Sequence, residues 1–179
     1  MSDKKKPYRW RAYLDDFRTD ADGKYIYTGK RYAFDGDPRT RTIYLAKTVL
    51  FTLLALLSTV VPECLPPTEI SRTPVTLIPW ALQLIAALVT VWAVVRIFAH
   101  ASELRAYVYR ATVASLPRKS LILAALSGVT FLAEVLFFFI RRLSPDGFTL
   151  SRLICPAVSV AASLLLFRTV RRGRWNELP

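Results

Sequence analysis

The amino-acid sequence predicts an all-α integral membrane protein, a bundle of four transmembrane helices with a small head at its amino terminus. Three observations lead to this prediction. Of the 179 residues, 53% are hydrophobic, although the formal net charge is +12. The charges are segregated, since 18 of the 38 charged residues lie between Asp3 and Arg41. Four long apolar stretches follow this charged segment.

The composition argues against several other classes of protein. A chain this apolar can bury enough surface to fold, which argues against intrinsic disorder. Two cysteines are too few for a disulfide scaffold, and 6 glycines and 11 prolines are too few for a collagen-like chain. The length fits a single compact unit, which therefore has to carry the function.

The four apolar stretches are each long enough to cross a bilayer. A hydrocarbon core about 30 Å thick requires roughly 20 mostly apolar residues in a helix. We assign the spans to residues 43–61, 75–99, 121–140 and 148–167, within a bundle that covers residues 43–168. A soluble bundle needs a polar face toward water on each helix, and these nearly uniform stretches leave no such face.

The distribution of lysine and arginine predicts that both termini are cytoplasmic, because positive charge is retained on the inner side of a membrane. In this orientation 21 basic residues are inside and four are outside. The four are Arg72, Arg141, Arg142 and Arg152. Residues 169–179 then form a basic cytosolic tail. We expect the plasma (inner) membrane of a bacterium, whose anionic inner leaflet attracts the basic side of the protein.

Residues 1–42 form the predicted cytosolic head, which begins with a short amphipathic helix. Within Pro7–Arg18, four apolar side chains are spaced at i, i+3, i+4 and i+7, which is typical of one face of a helix. They are Trp10, Tyr13, Leu14 and Phe17. Proline is favoured at the first position of a helix, so Pro7 marks the start.

A β-hairpin is predicted for residues 24–34, where the sequence alternates like two strands on either side of a central Gly-Lys turn. Glycine at the first loop position suits a type II′ turn. In this register Tyr27 faces Tyr32 and Tyr25 faces Phe34, so four aromatic rings share one face.

The aromatic side chains of the head require a cover, because an isolated hairpin is only marginally stable in water. Either the head is a cap on the bundle, or it docks a cytosolic or membrane partner. The candidate docking residues are Trp10, Tyr13, Phe17, Tyr25, Tyr27, Tyr32 and Phe34. Nucleic acid is not expected as a partner, because seven aspartates offset eleven basic residues in the head and the anionic leaflet explains the excess.

Glu134 and Arg152 are charged residues within the third and fourth spans. A charge in hydrocarbon is costly unless it is paired or hydrated. The two lie six and four residues from the outer ends of their spans, about 9 and 6 Å deep at the helical rise. We expect an ion pair between adjacent helices, with outward snorkelling of Arg152 as the alternative. A substrate or proton role is the less favoured interpretation.

Small residues on the same two spans predict close helix packing. They are Ala124 and Gly128 on the third span and Ala157 and Ala161 on the fourth. At 100° per residue, Glu134 lies about 100° and Arg152 about 160° from the small face of its own helix. Because the charges and the small faces point in different directions, one of the two sets is expected to meet another helix or chain.

The connections between the spans are short. Residues 62–74, with four prolines, are expected to form a rigid external loop. Residues 101–116 either continue the second span as a helix along the lipid headgroups or pack against the hairpin. Cys64 in the external loop and Cys155 in the fourth span differ in depth, which predicts two free thiols.

Motifs for catalysis or cofactor binding are missing from the sequence. It contains no CxxC, HExxH, glycine-rich phosphate loop or GxSxG, and its single histidine cannot form a histidine-rich metal site. We therefore expect no enzyme activity, no cofactor and no metal. The favoured function is a non-catalytic accessory or assembly subunit whose head docks another membrane or cytosolic protein, or a second copy. The alternative is a small oligomeric transporter or permeability protein that uses Glu134 and Arg152.

Overall fold

A computed structural model describes residues 17–19, 25–27, 29–70, 73–99, 103–143 and 146–178. Most of these residues are helical. Within the described part of the chain, four helical segments are long and apolar enough to cross a membrane. The predicted number of spans is therefore confirmed.

The helices are α1 Pro38–Val60, α2 Pro74–Ala99, α3 Ala106–Ala111, α4 Leu116–Arg141 and α5 Gly147–Arg172. A 3-10 helix, Val61–Cys64, continues α1. The long helices α1, α2, α4 and α5 correspond to the four predicted spans, although the last residue of the first span, Val61, belongs to the 3-10 helix. All four begin before the predicted span, α1 and α4 by five residues and α2 and α5 by one. The apolar stretch marks the hydrocarbon core, whereas a helix can continue into the headgroup region.

The starts of the long helices carry local signals. Pro38 follows the N-cap Asp37 at the start of α1, and Pro117 lies in the first turn of α4, where its missing N–H costs no hydrogen bond. At the start of α5 the Asp146 carboxylate accepts a hydrogen bond from the Thr149 backbone N–H at 2.8 Å. These contacts with Thr149 lower the pKa of Asp146.

The four long helices form an up-and-down bundle. α1 packs against α2 and α5, and α4 also packs against α2 and α5, so the helices form a ring. The short connections between them are typical of antiparallel neighbours. We call the end of the bundle that carries residues 61–70 the loop end, and the opposite end the sheet end.

The bundle is apolar on its outside and small or polar on its inside. Large apolar side chains such as Leu50, Ile85 and Phe139 are exposed, whereas serine, threonine and alanine fill the interior. In water this arrangement would leave a continuous apolar surface uncovered. In a bilayer it places apolar groups in hydrocarbon and allows the helices to approach closely.

A three-stranded antiparallel sheet closes the sheet end. Its strands are β3 Arg31–Phe34, β4 Leu104–Arg105 and β5 Trp175–Leu178, in the order β4-β3-β5. Tyr32 is paired with Leu104 on one side and with Glu177 on the other. The segment before α1, the connection after α2 and the segment after α5 therefore meet at one end of the bundle.

The predicted hairpin has the wrong strand pairing. Strands form at both predicted places, but β2 Tyr25–Tyr27 pairs with β1 Phe17–Thr19, so that Tyr27 is opposite Phe17. Phe34 is opposite Trp175 and not Tyr25. Alternation of residues identifies a strand and its two faces, but it does not specify which strand is the neighbour.

Two further expectations are corrected by the structure, the helix from Pro7 and the continuation of the second span. The helix predicted from Pro7 lies mostly outside the described residues, but its last two positions, Phe17 and Arg18, belong to β1. The segment predicted to be the basic tail, residues 169–179, contains the last four residues of α5 and the strand β5. Residues 104–111 form β4 and α3 and not a continuation of the second span. The alternative for this segment, packing against the hairpin, holds for one of the two strands predicted for it, because β4 pairs with β3.

Candidate functional site

Polar side chains inside the bundle recur every seven residues along the long helices. Seven residues are nearly two helical turns, so residues with this spacing line one face. All of these side chains are buried. They are Thr52 and Thr59 on α1, Thr76, Gln83 and Thr90 on α2, Ser120, Ser127 and Glu134 on α4, and Arg152 and Ser159 on α5. We call this set the polar column.

One residue from each long helix contributes to a hydrogen-bonded group within the column, the polar tetrad, formed by Thr59, Gln83, Ser127 and Ser159. The Gln83 amide Nε2 donates to Thr59 Oγ1 at 2.8 Å and to Ser159 Oγ at 3.2 Å. The hydroxyl oxygens of Ser127 and Ser159 are 2.9 Å apart. Interhelical hydrogen bonds in membranes contribute about 0.6 kcal/mol each on average. Their directionality makes the tetrad a determinant of helix register.

A layer of buried apolar residues, most of them alanine, follows the tetrad toward the sheet end. Ala55, Ala87, Leu123 and Ala162 again come one from each long helix and are buried together. Alanine at three of the four positions allows close approach of the backbones. Beyond this layer, a larger apolar cluster that includes Leu104 packs the sheet onto the bundle. The bundle interior is therefore filled from the tetrad to the sheet.

Toward the loop end the column ends in a buried ion pair. The Arg152 side chain, 2% exposed, donates from Nη1 to Glu63 Oε1 at 2.6 Å and from Nη2 to Glu63 Oε2 at 3.3 Å. Nη2 also donates to the Pro62 carbonyl at 3.0 Å. The guanidinium therefore binds both the side chain and the backbone of the 3-10 helix. This contact connects α5 to the residues that follow α1.

Glu134 lies in the same region without joining the ion pair. It is 5% exposed and lines a narrow cleft together with Glu63, Trp80 and Arg152. The cleft is too narrow for a water molecule. Glu134 Oε2 and Arg152 Nε both lack a hydrogen-bond partner in the described part of the chain. One buried arginine therefore shares a cleft with two carboxylates and is bonded to one of them.

The predicted ion pair between Glu134 and Arg152 is thus wrong, because Arg152 pairs with Glu63. Arg152 is neither snorkelling nor paired with Glu134, because Glu63 reaches it from the 3-10 helix. A comparison of depths within the spans placed Glu134 and Arg152 correctly at one level. It did not consider carboxylates outside the spans, such as that of Glu63 in the 3-10 helix at the loop end.

The predicted small faces are only partly used for packing within the chain. Ala124 is buried, Gly128 is half-buried, and Ala157 and Ala161 are exposed on the outside of α5. The interior face of α5 is the one that carries Arg152. The structure therefore resolves the geometric conflict in favour of the charged face, and the α5 small face points away from the bundle.

Several important residues were not singled out by the sequence analysis. They are Glu63, Trp80 and the four residues of the polar tetrad, together with Tyr44 and Trp175 at the sheet end. The seven-residue spacing of polar side chains was a usable signal for the tetrad, since it occurs in every span. The contact of Glu63 had no comparable signal, because it joins residues 89 positions apart.

The aromatic residues of the head pack against the sheet end of the bundle. Tyr27 is 7% exposed, donates from its hydroxyl to the Lys30 carbonyl at 3.1 Å and accepts from the Ala106 N–H at 3.1 Å. The Tyr32 ring is stacked on Tyr109 with centroids 4.2 Å apart. These contacts are those of a cap on the bundle.

The predicted docking set is therefore reduced. Tyr27, Tyr32 and Phe34 are engaged within the chain, Phe34 with Tyr44 and Trp175 at centroid distances of 5.1 and 5.6 Å. Trp10 and Tyr13 lie outside the described residues. The side chains of Phe17 and Tyr25 are likewise outside the described atoms, although their backbones form β1 and β2. These four remain as candidate docking residues.

Ion pairs at the surface support the sheet. Lys30 Nζ is 2.6 Å from Glu177 Oε1, and Arg31 Nη1 is 3.0 Å from Glu103 Oε2. The hydrogen bond and the charge of Glu177 raise the pKa of Lys30. Both pairs are solvent-exposed, so each contributes little to stability. They link β3 to its two neighbouring segments.

Cys64 and Cys155 are both free thiols, as predicted. Cys64 is exposed at the loop end and Cys155 is half-buried in α5. In the described ranges, no three histidine, cysteine, aspartate or glutamate side chains form a group that could hold a metal ion.

Two apolar grooves face outward between neighbouring helices. One, of about 360 Å³, lies between α1 and α2 and is lined by residues such as Leu53 and Phe98. The other, of about 430 Å³, lies between α2 and α4 and is lined by residues such as Val75 and Leu136. Both are on the apolar surface of the bundle, where hydrocarbon or another helix would fill them.

The fold and the buried polar column are those of a multi-pass membrane protein with a four-helix core and a sheet-capped end. No protein-family model, no curated protein and no solved structure matches this chain. The assignment of a function therefore rests on the residues and contacts described above.

Proposed function

We propose that this chain is a non-catalytic accessory or assembly subunit of a bacterial plasma membrane, with its sheet end in the cytoplasm. The observation that carries the proposal is the filled interior of the bundle. The polar tetrad joins all four long helices, and the cleft beside Arg152 is too narrow for water. Such an interior favours a scaffold that presents its surfaces to other molecules.

The orientation is supported by the charge of the two ends. Positive charge is retained on the cytoplasmic side and attracted to the anionic leaflet. Basic residues are numerous at the sheet end and few among the described residues of the loop end. Examples at the sheet end are Lys47, Arg118, Lys119, Arg168, Arg171, Arg172 and Arg174.

Docking is assigned to the part of the head that precedes β3. Tyr27, Tyr32 and Phe34 already have partners within the chain, so the proposed contact uses Trp10, Tyr13, Phe17 and Tyr25. Tyrosine, tryptophan and phenylalanine are typical anchors of protein interfaces, and these four residues precede a strand that is packed on the bundle. The partner is proposed to be a cytosolic or membrane protein.

The test is co-purification in mild detergent after chemical crosslinking in cells. The variant W10A/Y13A is expected to lose a partner that the wild-type protein retains, without a change in its melting temperature. The matched control is W92A, which removes an exposed tryptophan from α2. Retention of the partner by W10A/Y13A, or its loss in W92A alone, would contradict docking through the head.

A second candidate function is an oligomeric transporter or permeability protein. It is favoured by one observation, the buried Oε2 of Glu134, which has no hydrogen-bond partner in the ranges that the structure describes. In proteoliposomes this candidate predicts a proton or solute flux that E134Q abolishes while the protein remains folded. Equal flux in wild-type and E134Q vesicles would exclude a role for Glu134 in transport.

A further inference from the structure

The cleft at the loop end contains a buried hydrogen-bond donor and a buried acceptor that are not bonded to each other. Among the residues that the structure describes, the Nε donor of Arg152 and the Oε2 acceptor of Glu134 have no partner, and both residues line the same cleft. An unsatisfied buried polar group is destabilising, and water cannot enter to satisfy either atom. A donor and an acceptor that are both unsatisfied and share one cleft can satisfy each other if the arginine side chain turns toward Glu134.

The contacts of Glu63 show what that movement would release. Glu63 is the more accessible carboxylate, with 27% of its side chain exposed, and it belongs to the 3-10 helix that follows α1. Arg152 holds this segment through the Glu63 carboxylate and the Pro62 carbonyl. Glu134 is held on α4 within the bundle. Transfer of Arg152 from Glu63 to Glu134 would therefore exchange a loop contact for a contact between two long helices.

We propose that Arg152 is a latch shared by two carboxylates, which holds residues 61–70 through Glu63 and releases them when it pairs with Glu134. Both states keep the arginine charge paired, which a buried guanidinium requires. The two states differ in the freedom of the loop, while the polar tetrad, about 10 Å away along α5 at the helical rise, is unchanged. The inference is independent of the proposed accessory function.

The latch is tested by hydrogen exchange of the peptide 61–70 in lipid nanodiscs, with all variants at the same pH. E63Q weakens the closed state, so exchange of this peptide is expected to be faster by about tenfold or more. E134Q removes the second acidic partner of Arg152, so exchange is expected to be slower than in the wild-type protein. E69Q, which changes an exposed carboxylate in the same loop, is the matched control and should leave exchange unchanged.

Thermal unfolding provides a second readout. Because either carboxylate can pair with Arg152, each single variant is expected to remain folded with a small loss of melting temperature. The double variant E63Q/E134Q leaves Arg152 without a carboxylate and should lose about 5 °C more than the sum of the single losses.

Three results would overturn the latch. One is unfolding of E63Q alone, which would mean that Glu134 does not replace Glu63. Another is a double-variant loss equal to the sum of the single losses. The third is exchange of the peptide 61–70 in E134Q that is equal to or faster than in the wild-type protein.

Discussion

At the scale of single residues, Gly173 illustrates how closely the end of α5 approaches α1. A Cβ added at this position would lie 2.5 Å from Tyr44 Cε2 and 2.8 Å from Tyr44 Cζ. The Tyr44 ring is buried and in contact with Phe34. Any side chain at residue 173 therefore has to displace the ring that packs against β3. The absence of a side chain, and not a special backbone angle, makes glycine suitable here.

Replacing Gly173 with alanine is expected to destabilise the protein by about 1–3 kcal/mol, the usual cost of overpacking. The matched control is G128A, because a Cβ at Gly128 meets no described atom within 4 Å. Alanine in place of a helical glycine is favourable by up to about 1 kcal/mol. Thermal unfolding in detergent should separate the two variants in opposite directions. Equal melting temperatures would show that the Tyr44 ring can be displaced without a loss of stability.

Asp146 gives a prediction about pH. Because its folded-state pKa is lowered by its contacts with Thr149, its contribution to stability is present above the unfolded pKa, roughly 3.9, and is lost as the pH falls through the folded value. The difference in melting temperature between wild type and D146A should therefore be present at neutral pH and shrink in strong acid. D146N keeps a neutral acceptor, so its difference from D146A should not vary with pH. A constant difference between wild type and D146A would contradict this assignment.

At the scale of elements, α5 shows why the buried face of a membrane helix is difficult to recognise. Its interior residues are spaced alternately four and three apart, from Arg152 through Pro156, Ser159 and Ser163 to Leu166. Most of them are small or polar, whereas many of its large apolar residues face outward. A search for an apolar interior face would therefore select the wrong side of the helix. The same inversion explains why the outward Ala157 and Ala161 resembled a packing face.

The polar tetrad predicts a difference between two serines on α5. Ser159 bonds to Gln83 and Ser127, whereas Ser163 Oγ has no hydrogen-bond partner among the described atoms, and both serines are fully buried. S159A is expected to lose about 1 kcal/mol of stability, from two bonds of typical strength in a membrane. S163A should be neutral or slightly stabilising, because it removes an unsatisfied group. Equal losses in chemical unfolding would show that the tetrad contributes nothing beyond packing.

At the scale of the whole molecule, the proposed orientation places Cys64 on the outer side of the membrane. Cys64 is an exposed free thiol at the loop end, opposite to the sheet formed by β3, β4 and β5. A membrane-impermeant maleimide is expected to label Cys64 in intact cells whose outer envelope has been made permeable. C64S should lose this labelling, since Cys155 is half-buried within α5. Labelling that requires lysis of the plasma membrane would reverse the orientation.

Much of the helical architecture could be predicted from the sequence, because the transfer of about 20 apolar residues into hydrocarbon is a local property of each stretch. The same is true of the two strands near Tyr25 and Tyr32, whose alternation was recognised. Their pairing could not be predicted, because β3 pairs with segments more than 70 and 140 residues away. Contacts over such distances depend on how the long helices bring their ends together.

In the candidate site, too, some features could be predicted from the sequence and others could not. Burial of Glu134 and Arg152 follows from the sequence, since both lie inside apolar stretches and a charge in hydrocarbon turns inward to find a partner. The choice of Glu63 over Glu134 does not follow, because it depends on the fold of the 3-10 helix over the loop end.

Hydropathy and charge in the amino-acid sequence thus establish which segments favour hydrocarbon and which favour water. The number of predicted spans follows from this division. The partners of individual side chains were established only by the tertiary structure. Hydrogen bonds and ion pairs act over a few ångströms, so they depend on positions that the bundle acquires after its spans are in place.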